Sequence, residues 1–216
     1  MLDTPASRKA RLAPPSAAAA LDLRPLSAFP EARGADPSER IAEWMRSYLM
    51  RPHPDLGRTG AVCPYTSISA KTDLALVGAS AAHDEEEIYA TMREAIATFE
   101  AMACAPGLKA FRCVLVGFPS CESEAGRATL KRVQNRLRPE STRRAKMIGL
   151  FEPHAEDRGL INSEFRPLRS PLPLLAIRSL VEADAPFVVR NPRLAPIYLW
   201  TFPRSGPGRL WQCLRR

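Results

Sequence analysis

The side chains best suited to chemistry lie on two proline-rich stretches. In RPHPDLGRTGAVCPY, residues 51–65, His53 and Cys63 sit on a chain shaped by three prolines and two glycines. Such a stretch is neither helix nor central strand, because proline lacks the N–H and glycine costs backbone entropy. Pro64 stiffens the backbone immediately after the sulfur, a geometry that suits a thiolate held toward a metal or a haem iron. A cysteine buried under a loop fits the same spacing. In FRPLRSP, residues 165–171, Arg166, Arg169 and Ser170 fall on extended, proline-fixed backbone. The arginine fork matches the carboxylate of a substrate or a cofactor, with an ion pair to Glu164 or Asp157 as the structural alternative. His154 lies in the second long loop, as His53 lies in the first. If the loops converge at one sheet edge, either histidine is placed to be an axial ligand or a proton donor, or only to bond a backbone carbonyl.

Other chemistries find little support. Five cysteines form no CxxC pair, and the odd number is a poor disulfide framework, so reduced intracellular thiols are expected. Cys104 and Cys113 read as small core residues and Cys121 as part of a helix start. There is no nucleophile elbow, no Walker loop and no dinucleotide fingerprint. The net charge of +8 concentrates in residues 127–146, where Arg127, Lys131, Arg132, Arg136, Arg138, Arg143, Arg144 and Lys146 face one acid, Glu140. Such a stripe can track phosphates, but no aromatic residue interleaves it for base stacking and no helix-turn-helix accompanies it. A solvated helix face is the simpler reading, and nucleic acid is disfavoured as a partner.

Few elements are available to hold these loops. The 21 prolines against 11 glycines call for stiff irregular segments between a small number of helices and strands. Residues 1–36, rich in Ala, Pro, Ser and Arg, read as a flexible arm, and 37–216 as a single α/β domain. Ser38 is the expected cap of a helix that places Ile41, Trp44, Met45 and Tyr48 on one side. Residues 73–79 read as a buried strand. A helix follows, with Asp84 to Glu87 at its positive end and Ile88, Met92, Ala95, Phe99 and Met102 at helical spacing. Residues 108–119 form a second strand, the segment from Cys121 to Pro139 a second helix, and 147–151 a third strand. LLAIRSLVEAD reads as a helix, and PFVVR and APIYLWTF as short segments of either kind. The fold class is α+β: a small mixed sheet with a strand-helix-strand-helix-strand core over about 73–151, proline-rich loops and C-terminal helical segments. No apolar run reaches the roughly 20 residues that span a bilayer, so no membrane partner and a cytoplasmic location are expected.

The strings HPDLGRTGAVCPY and GLINSEFRPLRSPLPLLAIRSLVEADAPFV resemble a domain family of unknown function met near natural-product genes. More remotely, that family is similar to YqcI/YcgG-type haem proteins, some of which N-hydroxylate guanidino or amino groups. The resemblance implies a compact haem fold with haem b as cofactor. Cys63 matches the cysteine of its Cys-Pro-aromatic motif and His53 the histidine that opens it. Arg166, Arg169, Ser170 and Pro171 match its Arg-Pro-Leu-Arg-Ser-Pro string. Its Phe-His-Pro and Ile-Arg-His read here Phe151-Glu152-Pro153 and Ile177-Arg178-Ser179, so a histidine ligand at either place is lost, with His154 as a substitute.

The expected function is a haem-dependent oxygenase acting on an amine, guanidine or amino acid in specialised metabolism. Cys63 is its metal and cofactor ligand, His154 a further metal ligand, Arg166 and Arg169 the cofactor or carboxylate clamp, and His53 and Ser170 the catalytic pair. The partner is then a small molecule bearing an amine or carboxylate, and a homodimer is allowed. A non-catalytic binding or scaffold protein of the same fold, and a nucleic-acid binder acting through residues 127–146, are the competing readings. The loop of 152–171 should face 51–65, with Cys63 and Arg169 toward one pocket.

Overall fold

The computed structural model describes residues 21–31, 34–190 and 192–215. Five strands form one mixed sheet in the order β1-β2-β3-β5-β4: β1 Arg24–Pro25, β2 Ala75–Ala79, β3 Cys113–Gly117, β4 Lys146–Phe151 and β5 Leu174–Ser179. β2 and β3 are parallel, joined through the helix α3, Glu85–Ala101. β3 leads through the helix α4, Glu124–Arg143, into β4, but the two strands leave a gap between them that β5 fills antiparallel to both. The strand-helix-strand-helix-strand core is therefore present, with a late strand inserted at its centre.

That insertion corrects the helix expected over LLAIRSLVEAD. A central strand buried on both faces shows no alternation, so its apolar run cannot be told from a buried helix by period alone. Leu175 and Ile177 face one side of the sheet, while Leu174 and Ala176 face the other. The chain then turns through residues 182–184 into three short helices, α5 Ala185–Arg190, α6 Ala195–Thr201 and α7 Gly206–Leu214. Leu180, Val188, Leu194 and Tyr198 give these a separate apolar cluster.

Within the span expected as a flexible arm, residues 1–36, the described residues Arg24 to Phe29 pack onto the sheet. β1 pairs with β2 through Arg24↔Val77, and Leu26 and Phe29 are buried in the core. The remainder of that expectation, residues 1–20, 32 and 33, lies outside the described residues. Asp36, rather than Ser38, caps the first helix, α1 Pro37–Trp44, accepting from the N–H groups of Ser38 at 2.8 Å and Glu39 at 3.4 Å. Pro37 occupies the first helical position, where no N–H is needed. The helix continues into a wider turn over Met45–Leu49, in which the Met50 N–H reaches back to the Met45 carbonyl.

The two faces of the sheet are covered unequally. α3 and α4 pack Ile88, Met92, Phe99, Leu130, Val133 and Leu137 against one face. On the other, α1 brings Ile41, Trp44 and Met45 against β2 and β3. The short helix α2, Thr66–Lys71, fills in beside β2. α4 runs through Pro139 to Arg143 instead of stopping at the proline. The lost bond falls on the carbonyl of Asn135, on an exposed turn where water can serve it.

α3 and the start of β4 are tied by an ion pair whose pH dependence can be read directly. Lys146, buried at 7% exposure, donates from Nζ to Glu100 Oε1 at 2.5 Å, and Arg144 reaches the same carboxylate at 3.1 Å. The Lys146 hydrogen bond is the main reason that the Glu100 carboxyl lies below the ordinary carboxylate range. A depressed carboxyl contributes stability above its unfolded pKa and loses it as pH falls through the folded value. Urea denaturation of wild type should therefore show an acid loss below the usual glutamate range, and Glu100→Gln should flatten that part of the profile while lowering stability at neutral pH.

Candidate functional site

An open cavity of about 750 Å³ wraps around the outer edge of β4, floored by β5 and β4 on the face that α1 only partly covers and bounded on the other side by α4. Its floor is small and apolar where Ala176 and Gly149 stand side by side in register, with Cys113, Leu115 and Met147 around them. Met45 and Leu49, from the widened turn after α1, form one wall, and Leu168 and Phe151 another. The size lies within the roughly 300–1,000 Å³ of cofactor and small-molecule sites.

Cys63 lines this cavity because the proline-rich loop is a closed unit. Its N–H donates to the Leu49 carbonyl at 2.9 Å, and the Val62 N–H donates to the Arg51 carbonyl at 2.9 Å. Pro52 and Ala61 form a bridge, and Gly57 and Gly60 take the left-handed backbone that the turn demands (φ 74° and 92°). The loop thus returns to the end of the α1 segment and delivers the sulfur to the cavity wall. Cys113 lies on the floor close by; burial first, and then the neighbouring Cys63 sulfur, push its thiol up to about 12. Cys113 is accordingly a neutral thiol at physiological pH.

Two arginines that line the same space, Arg178 and Arg127, each stand beside an acid. Arg178 makes a two-pronged contact with Asp184, at 2.7 and 2.6 Å, and also donates to the Ser179 carbonyl at 3.0 Å. Burial opposes its charge, but the Asp184 contact outweighs this and leaves the guanidinium pKa raised. Asp184 also accepts from the Val181 N–H at 2.9 Å, so the pair fixes the turn after β5. Arg127 Nε stands 3.4 Å from Glu152 Oε2, a buried oxygen with no hydrogen-bond partner.

The two proline-rich loops do meet. The His53 ring is 4.8 Å from that of Phe165, Asn162 donates to the Asp55 carbonyl at 2.9 Å, and Tyr48 donates to the Arg166 carbonyl at 3.4 Å. Their meeting point, however, is a second cavity of about 500 Å³ lined by Trp44, Tyr48, His53, Phe165, Arg166, Arg169 and Ser170. Cys63 and Arg169 therefore do not share a pocket. Arg166 and Arg169 both pair with Glu156, at 3.4 and 3.1 Å, instead of Glu164 or Asp157. The Ser170 hydroxyl donates to the Leu172 carbonyl at 2.7 Å within the chain's own turn. His53 Nδ1 accepts from the Asp55 N–H at 3.2 Å, and His154 is exposed and lines neither cavity.

Arg127, Gln134, Glu152 and Arg178 line the large cavity and were not among the expected site residues. Two signals could have found three of them: Gln134 is a polar residue among the apolar positions Val133 and Leu137, and Glu152 and Arg178 stand in the two strings that depart from the resembled pattern. The basic run of α4 is divided between its flanks. Arg132, Arg136 and Arg144 pair with Glu85, Glu86 and Glu100 of α3, at 2.8, 2.5 and 3.1 Å. Arg127, Lys131 and Arg138 turn to the cavity.

Among the described residues no three His, Cys, Asp or Glu side chains gather as a metal-binding group, and no helix is long and apolar enough to cross a membrane. Residues 38–212 match the family model described as a domain of unknown function, DUF6875. No curated protein and no solved structure matches the chain.

Proposed function

The chain belongs to the DUF6875 family, and from that premise we propose that it is a haem-dependent oxygenase of an amine, guanidine or amino acid, with haem b in the large cavity and Cys63 as the iron ligand. The observation that carries the reading is the opening of Cys63, in its Cys-Pro-aromatic motif, onto an apolar cavity of about 750 Å³. The residues present fit the group: small side chains at Ala176 and Gly149, beside Leu115, leave an apolar floor unobstructed for a flat ring, and thiolate ligation needs only one protein side chain. Bound haem with a thiolate supplies the activation of O₂ or peroxide.

The chain's own residues have narrower tasks. Cys63 is held in place by the Leu49 carbonyl and the closed loop. Arg178, with 36% of its side chain still open, offers a cation to a ligand carboxylate. His53, Arg166, Arg169 and Ser170 act in this reading from the adjoining cavity, as supports of the loop that carries Leu168. A second reading, binding of a flat apolar ligand without catalysis, is supported by Glu152 and Ser179 at the places where the resembled pattern has histidine.

Titration of purified protein with haemin tests the proposal. The expected result is saturable uptake with about one haem per chain and a Soret band distinct from that of free haemin. A titration indistinguishable from haemin in buffer would rule the reading out.

A further inference from the structure

We propose that the free edge of β4 accepts an extended acidic peptide as an added strand, an inference that does not depend on any cofactor. β4 ends the sheet and pairs only with β5 among the described residues. The Leu180 N–H donates to the Ala145 carbonyl, so the odd-numbered residues from 145 to 151 spend their backbone groups on β5. Lys146, Ile148 and Leu150 turn theirs outward. Two observations agree with this phase. The Ile148 carbonyl is met from outside by Gln134 Nε2 at 2.8 Å. Further along, Glu152 exchanges backbone bonds with Leu168 and Ser170 at 3.2 and 3.3 Å, so the chain's own loop already runs beside this edge as a short parallel strand would.

The stretch left open, Ile148 to Leu150, faces the cavity, and α4 forms the opposite bank. Arg127, Lys131 and Arg138 recur at spacings of four and seven on one side of that helix. Among the described residues, neither Lys131 nor Arg138 has an acid within ion-pair distance, whereas the α3 flank of α4 is neutralised. Between these cations Gln134 is 4% exposed, and its Oε1 has no hydrogen-bond partner.

A peptide strand meets all of these demands together. Its N–H donates to the Leu150 carbonyl, its carbonyl accepts from the Leu150 N–H, and carboxylates on alternate residues reach Arg127, Lys131 and Arg138. Main-chain bonds then give affinity and alternate side chains give specificity, as in other strand-addition complexes. A polyphosphate satisfies the cations but brings no backbone N–H for the edge.

Selection of a displayed library of random decapeptides on the full chain should enrich Asp or Glu at alternate positions. The best clone, made as a fluorescent peptide, should lose on the order of tenfold in affinity when alternate amides are N-methylated. It should lose a similar factor on a Lys131→Gln/Arg138→Gln variant, which replaces one exposed and one half-buried side chain with a good helix former and keeps the fold by near-UV circular dichroism. Amide exchange at Leu150 should slow when the peptide binds. Enrichment without acidic residues, equal binding of the N-methylated peptide, unchanged Leu150 exchange, or equal competition by an RNA oligonucleotide would each overturn the proposal.

Discussion

Asp184→Ala is expected to lower the stability of the protein by about 2–3 kcal/mol, the cost of removing a buried carboxylate's charged hydrogen bonds to a guanidinium that keeps 36% of its side chain open and to the turn N–H. Asp184 is 2% exposed, and its two oxygens accept from Arg178 at 2.6 and 2.7 Å and from the Val181 N–H at 2.9 Å. Removing the carboxylate strands the guanidinium between the cavity wall and the end of β5, and frees the turn that leads into α5. Asp184→Asn keeps the volume and part of the hydrogen bonding, so it should fall between wild type and Asp184→Ala in urea denaturation. The double variant Arg178→Met/Asp184→Leu removes both charges and should recover much of the loss, since an apolar pair of similar volume often replaces a buried ion pair without penalty. A cost below about 1 kcal/mol for Asp184→Ala would place the pair among ordinary exposed ion pairs.

Ala176→Phe is expected to weaken haem binding on the order of a hundredfold, about 2.8 kcal/mol at 1.4 kcal/mol per factor of ten. Ala176 lies on the central strand β5, paired with Leu115 on one side and with Gly149 on the other. All three line the cavity. A benzyl group there rises from the floor into the space that a flat ligand needs. The neighbouring Gly149 and the open side of the cavity give the ring room, so the folded state should persist, as far-UV circular dichroism and the urea midpoint would show. The same variant separates ligand binding from the peptide-edge proposal, because Ala176 points away from α4 and the outward backbone of Leu150 is unchanged. Haem affinity equal to wild type in a folded Ala176→Phe protein would mean that the ligand sits elsewhere.

Much of the fold was legible in local pattern, and its failures have definite causes. The helices at Ile88–Phe99 and Leu130–Leu137 each show an apolar stripe because one side packs on a sheet and the other meets water, and they lie where the spacing puts them. β5 reads as a helix in sequence because Leu174–Ser179 packs on both sides, and no alternation survives in a strand inserted between two others. β1 is two residues long, too short for any period, and is held by Leu26 and Phe29 packing below it. Ser38 and Asp36 are both good caps; Pro37 decides between them, because it suits the first helical position and so places the cap one residue before it.

The site was legible in its parts but not in its assembly. Proline and glycine density marked 51–65 and 152–171 as shaped loops, and the contact of His53 with Phe165 joins them. Spacing could not show that Cys63, at the end of its loop, faces a different cavity from His53, near the beginning. That division follows from the bridge between Pro52 and Ala61, which folds the loop back on itself. Nor could sequence place Arg178 and Glu152 beside Cys63's cavity, since their strand order depends on the late insertion of β5.

The most direct test of the central claim is the visible spectrum of the ferrous carbon monoxide complex of haem-loaded protein, recorded for wild type and for Cys63→Ser. Cys63 ligation predicts the long-wavelength Soret band of a thiolate complex in wild type, replaced in Cys63→Ser by the band of a neutral or absent protein ligand. Identical spectra from the two proteins would contradict the assignment of Cys63 as the iron ligand.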